Sequence, residues 1–196
     1  VNGGEIISAS NQAIQNWDEA KIAGGQIKGQ VITWSYTTVP NNATMAITGG
    51  HIDGPVQAIN YYENGAAAQT APKVTISEEA EILGRLGTYT HNGGKVTATQ
   101  DESLAKMTVS GGRFAISVAE RYLSDDIKAE LKSATNTVTP YSYYTDMNQA
   151  IEKAAPGDSI TAVNNSEDAI LVTIPFKFND GKTPDAAYKV LKGANG

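Results

Sequence analysis

The stretch Ile47-Thr48-Gly49-Gly50-His51-Ile52 decides the reading of this chain, because the same pattern recurs along its first two-thirds. Copies stand at Val1-Asn2-Gly3-Gly4-Glu5-Ile6, Ile22-Ala23-Gly24-Gly25-Gln26-Ile27 and Val109-Ser110-Gly111-Gly112-Arg113-Phe114. A fifth, His91-Asn92-Gly93-Gly94-Lys95-Val96, lacks the first apolar residue. The template sets two apolar positions five residues apart. In a straight strand such residues point to opposite faces. Both reach one core only if the backbone bends between them, and paired glycines permit that bend. Each copy therefore reads as strand, corner, strand. Two adjacent glycines oppose a helix, at about 1 kcal/mol each relative to alanine.

Gly3 to Gly24 spans 21 residues and Gly24 to Gly49 spans 25. Gly49 to Gly111 spans 62, too long for one repeat. Val74–Ile82 lies between them as an apolar segment without the glycines, and a corner at Glu78 divides the gap into 29 and 33. A drifting period of roughly 20–30 residues predicts a solenoid whose insertions fall on loops. The strand content predicts a mainly β chain, a parallel β-helix over residues 1–123. An ordinary β-sandwich with glycine-rich turns is the alternative.

From Leu123 the composition changes. Ser124–Lys132 reads as a short helix capped by Ser124, with Asp125 and Asp126 in its first turn. Thr145 caps a second expected helix, Asp146–Ala155, closed by Pro156-Gly157-Asp158. Ile160–Val163 and Ile170–Phe178 read as strands, Asn179-Asp180-Gly181 as a turn, and Thr183-Pro184-Asp185 as the start of a last helix stopped by Gly193. Residues 124–196 are expected to form an α+β segment that caps the solenoid, or a small second domain.

Val109-Ser110-Gly111-Gly112-Arg113-Phe114, followed by Val118 and Tyr122-Leu123, resembles units of large surface proteins from gut Gram-positive bacteria. Tyr144–Glu152 with Pro156–Ile160 resembles a linking phrase of the same proteins. The resemblance implies a right-handed, pectate-lyase-like parallel β-helix, a bacterial cell-surface or extracellular location, and a role in adhesion or glycan contact. Partners so implied are host or dietary glycans or surface proteins. The same fold class also holds polysaccharide lyases and glycosidases, so a carbohydrate-active enzyme is the alternative; fold alone does not carry activity across.

The residues themselves argue for a non-enzymatic chain. With a net charge of −6 and three arginines (Arg85, Arg113, Arg121), it lacks the basic surface that nucleic acid requires. No run approaches the ~20 apolar residues of a membrane-spanning helix. Cysteine is absent, which removes disulfides and thiolate metal sites. The chain opens on Val1, which suggests a segment of a longer or processed protein. No cofactor motif, metal set or catalytic constellation is evident. Glu78, Glu79 and Glu81 read as a solvated corner, Arg113 projects outward, and His51 with His91 lacks a third ligand. The candidate ligand-binding residues are aromatic: Trp34 and Tyr36 lie 10 and 12 residues after Gly24, Tyr61 and Tyr62 12 and 13 after Gly49. Stacked repeats would bring equal offsets side by side and build an aromatic platform for sugar rings. Tyr141, Tyr143 and Tyr144 are expected at the junction with the tail.

Overall fold

The structure is a computed structural model that describes residues 1–36, 42–63, 65–164, 171–176 and 186–191. The chain is mainly β. It makes five successive passes. The first is β1 (Asn2–Asn16) and the second β2 (Glu19–Tyr36). The third is β3 (Thr44–Asp53) with β4 (Val56–Tyr61). The fourth holds β5 (Lys73–Ile76), β6 (Glu81–Ile82) and β7 (Leu86–Asn92), extended by β8 (Lys95–Ala98). The fifth holds β9 (Lys106–Val109), β10 (Arg113–Phe114) and a 3-10 turn, Glu120–Tyr122.

Consecutive passes pair in parallel along three ladders. In ladder one, β2, β3, β5 and β9 align Ile22, Ile47, Ile76 and Val109. In ladder two, β1, β2, β3, β6 and β10 align Ile6, Ile27, Ile52, Ile82 and Phe114. In ladder three, β1, β2, β4 and β7 align Ile14, Val31, Val56 and Leu86. This pairing is not that of an antiparallel sandwich. The two apolar positions of each corner reach one core as the spacing requires: Ile22, Ile27, Ile47, Ile52, Val109 and Phe114 are all at most 1% exposed. Each such side chain contributes about 1.5–3 kcal/mol by burial.

Glycines at the corners are set by contact as well as by dihedral angle. Gly50 has φ +90°. Gly49 does not need a positive φ, yet a Cβ there would lie 2.6 Å from the Ala23 carbonyl oxygen of the pass before. Glu78 takes the glycine-free corner with φ +55°, and Gly111 of the next pass rests on its backbone nitrogen. A second column, Gly29–Gly54–Gly84, stacks where ladder two turns into ladder three, and a Cβ on Gly54 or Gly84 would overlap the backbone of the preceding pass.

Several expectations are corrected. Gly93-Gly94 is not a corner: it is the two-residue turn of the antiparallel β7–β8 hairpin, with both φ values positive. Asn92 and Lys95, which flank the turn, pair with each other, so the pattern without its first apolar residue codes a reversal. Beyond β10 the strand stops at Phe114, and Ile116 is 45% exposed. Ser124–Lys132 is not a helix. Ser124 Oγ accepts a hydrogen bond from the Asp126 amide in a turn, Asp125 and Asp126 are exposed, and Ala129–Lys132 forms β11. Ile127, Ala129 and Leu131 are all buried at a period of two, and burial overrides helix propensity.

The remainder of the tail is α+β. β12 (Tyr141–Tyr144) runs antiparallel to β10 and ends the parallel run of ladder two; β11 follows beyond it. α1 (Met147–Lys153) is capped by Asp146, which accepts from the Asn148 amide, rather than by Thr145. β13 (Ser159–Ala162) pairs with β11. Tyr143 is buried against Phe114 at the junction, with Tyr141 packed beside that core. β14 (Leu171–Phe176) and β15 (Ala186–Leu191) form an antiparallel pair, so the body of the expected last helix is a strand. Its predicted cap and stop, like the Asn179-Asp180-Gly181 turn, lie outside the described residues.

The glycine contacts give a direct expectation. Gly49→Ala forces two backbones apart and costs about 1–3 kcal/mol, whereas Gly3→Ala, whose Cβ meets nothing within 4 Å, stays within about 0.5 kcal/mol of the parent. Urea denaturation of the two variants checks this.

Candidate functional site

Ladder three presents two different faces. Inward lie Thr33, Ser35, Asn60 and Thr88, all buried. Asn60 serves a loop rather than a ligand: Nδ2 donates to the carbonyls of Ala68 and Leu104, and Oδ1 accepts from the Ala68 amide at 2.8 Å. Outward lie the aromatic residues. Alternation along β2 carries Trp34 and Tyr36 to this face, and the parallel register sets Tyr36 beside Tyr61 and Tyr61 beside His91.

The rings form a column. Trp17 stacks on Tyr36 at 4.4 Å, Tyr36 on Tyr61 at 4.4 Å, and Tyr61 lies 4.7 Å from His91. Trp34 sits beside the column, 5.9 Å from Trp17 and 6.3 Å from Tyr61 in an edge contact. Equal offsets after the glycine corner thus do meet, as Tyr36 and Tyr61 demonstrate. Trp34, two residues earlier, pairs instead with Ile59. Tyr62 falls past the end of β4, and its amide donates to the His91 carbonyl.

Ring orientation limits what the column can do. Tyr36 and Tyr61 turn their faces to neighbouring rings, so a ligand alongside them meets edges and hydroxyl groups. Beside the two middle rings of the column, Tyr36 and Tyr61, lies an open pocket of about 520 Å³. Tyr36, Tyr61, Tyr62, Glu63 and Asn92 line it. Burial raises the Tyr36 hydroxyl above its usual pKa, helped by nearby Tyr61 and Glu63, so it remains a neutral donor. The pocket combines aromatic edges with one carboxylate and one amide. Trp17, Glu63 and Asn92 escaped the sequence reading; Trp17 was legible only as the end of a pass, and Asn92 only once the hairpin is known.

A second constellation lies on ladder two. The register His51–Glu81–Arg113 sets three ionisable residues side by side. Nδ1 of His51 donates to Glu81 Oε2 at 2.7 Å, Thr139 Oγ1 donates to Oε1 at 2.8 Å, and Arg113 Nε lies 4.0 Å from Oε1. Arg113 does project outward, and of the Glu78–Glu79–Glu81 cluster only Glu81 joins this group. His51 and His91 stand on different ladders and are not brought together. Among the described residues no group of three or more His, Asp or Glu side chains is placed to hold a metal ion, and no helix is long and apolar enough to cross a membrane.

Burial alone would push the Glu81 carboxyl up. The hydrogen bonds from His51 and Thr139, with the Arg113 charge, outweigh that and hold it below its ordinary value of 4.5. A carboxyl depressed by folding stabilises the native state above the unfolded pKa, and that contribution is lost as pH falls through the lowered value. Glu81→Ala also leaves buried Thr139 without this acceptor, at about 1–3 kcal/mol near neutral pH. The gap between parent and variant, followed by urea denaturation, narrows as pH drops below the carboxylate range; a gap unchanged down to full protonation would remove the ion-linked part.

Comparison with protein-family models, with curated proteins and with solved structures returned no match for this chain.

Proposed function

We propose that residues 1–123 form a right-handed parallel β-helix capped by 124–196, and that the chain is a non-enzymatic module of a bacterial surface protein, exposed outside the cell, that contacts glycans. The observation that carries this reading is the pocket beside Tyr36 and Tyr61 of the aromatic column. Its volume of about 520 Å³ lies in the range of small-molecule sites. Aromatic carbon, phenolic hydroxyls, the Glu63 carboxylate and the Asn92 amide are the groups that a sugar's CH faces and vicinal hydroxyls engage. Contact would run through Tyr62 and the edges of Tyr36 and Tyr61, with Trp34 supporting the column from the side.

A carbohydrate-active enzyme is the second reading. The row His51–Glu81–Arg113 favours it, since it sets a carboxylate among potential proton carriers on one ladder. Against it, both Glu81 oxygens are already engaged by protein donors.

The test is a panel of host and plant glycans, measured for binding and for cleavage products. Binding without cleavage is expected. Tyr62→Ala, which leaves the column intact, should weaken it at least about tenfold, as loss of an aromatic anchor does. Binding indifferent to both Tyr62→Ala and Glu63→Gln rules out this pocket. Products that vanish in Glu81→Gln would instead establish the enzyme, and no binding at all would leave a structural spacer.

A further inference from the structure

We propose that the cavity lined by Arg85 and Arg121, between the start of β7 and the bowed end of the fifth pass, binds a small organic carboxylate. The cavity exists because a strand stops short. After β10 the fifth pass makes one more ladder contact, from the Ala115 amide to the Ile82 carbonyl at 3.0 Å. The Val118 amide then donates to the Tyr143 hydroxyl at 2.7 Å, and Tyr122 turns into the core at 5% exposure. The segment is thus fastened at Ala115, Val118 and Tyr122 and bows between them. Between it and the fourth pass lies a cavity of about 170 Å³, lined by Arg85, Leu86, Ile116, Val118 and Arg121 among others.

Charge is the first support. The chain carries a net charge of −6 and three arginines, and two of the three line this one cavity. Arg113 stands beside Glu81, but among the described residues neither Arg85 nor Arg121 has a carboxylate within 4.0 Å. Glu120, next to Arg121 in sequence, is exposed and does not line the cavity. The positive charge of the cavity is therefore unanswered by these residues.

Preorganisation is the second. The Arg121 guanidinium carbon lies 4.5 Å over the Tyr122 ring, and Nη2 donates to the Tyr122 hydroxyl at 3.0 Å. That hydroxyl is itself fixed. It accepts from the Thr88 amide at 3.1 Å and donates to Thr88 Oγ1, whose own hydrogen goes to the Thr99 carbonyl. The bond to Tyr122 uses one donor of the guanidinium fork and leaves the others for a ligand.

The lining selects the ligand. The planar fork of arginine matches the two oxygens of a carboxylate. Phosphate would answer the same charge, but Leu86, Ile116 and Val118 make the remaining walls apolar, and Ile116 is 45% exposed. A carbon body next to the carboxylate covers those walls, which an inorganic oxyanion does not. Volume bounds that body: a cavity of about 150 Å³ accepts benzene, so the frame is close to one six-membered ring. The cavity shares no residue with the pocket beside Tyr36 and Tyr61, and the two sites stand or fall separately.

Benzoate is the probe, with benzamide as its neutral isostere and inorganic phosphate as an anion without a carbon body. Each is titrated at neutral pH into the full chain labelled with nitrogen-15, and amide shifts are followed by NMR. Benzoate should give saturable shifts in residues 84–86 and 115–122, and bind at least about tenfold more tightly than benzamide or phosphate. Arg85→Gln and Arg121→Gln should each weaken benzoate about tenfold or more. Both arginines are exposed, so the thermal midpoint should stay near that of the parent. Should Arg121→Gln disturb Tyr122, Arg85→Gln still decides. No saturable shift, equal affinity for benzoate and benzamide, or benzoate binding unchanged in Arg85→Gln overturns the proposal. Phosphate binding more tightly than benzoate overturns it in favour of an inorganic oxyanion site.

Discussion

Backbone lying directly on backbone at the glycine corners is the constraint on which the other features depend. Parallel passes register only if each chain turns at the same height as its neighbour. Where Gly49 meets Ala23 and Gly111 meets Glu78, the contact leaves no room for a side chain. That closeness sets the register, and the register sets what aligns on each ladder. Ile22 meets Ile47, Ile27 meets Ile52, and Tyr36 meets Tyr61 because the corners coincide. A one-residue slip would turn every inward side chain outward. The hydrophobic column and the aromatic column are thus two results of one steric condition, one inside the ladders and one outside.

Much of this was legible in residue spacing. The five-residue separation of apolar positions demanded a bend, and the equal offset of Tyr36 and Tyr61 anticipated their contact. What escaped the reading has physical causes. Gly29 and Gly54 each follow a glycine pair at the same interval, which is a signal, but a lone glycine in a strand carries no turn mark of its own. Gly93-Gly94 matched the corner pattern, yet only the missing apolar residue two positions before it, where His91 stands, separates a bend from a reversal. Ser124–Lys132 carries helix-forming residues and a cap, and becomes a strand because Ile127, Ala129 and Leu131 have a core to cover. Ring orientation in the column was beyond any spacing rule, since it follows from how neighbouring rings fill the outer face.

The interior changes character along each pass. Ladders one and two are apolar inside, whereas the inner face of ladder three carries Thr33, Ser35, Asn60 and Thr88. Thr88 Oγ1 donates to the Thr99 carbonyl, and the Tyr122 hydroxyl accepts from the Thr88 amide. Asn60 holds the loop around Ala68. The apolar columns stabilise the stacking, and Asn60 and Thr88 of the polar row fasten the excursions between passes, including the segment that forms one wall of the pocket.

The β7–β8 hairpin has a kinetic meaning. Every parallel contact joins residues separated by a whole pass, so its formation requires a substantial loop to close first. The hairpin closes through two residues, and such elements form within about 1–10 microseconds. Its β7 strand is also the outermost parallel member of ladder three, paired with β4. The fourth pass can therefore acquire an ordered edge before its neighbours arrive, and β4 then adds to an existing template.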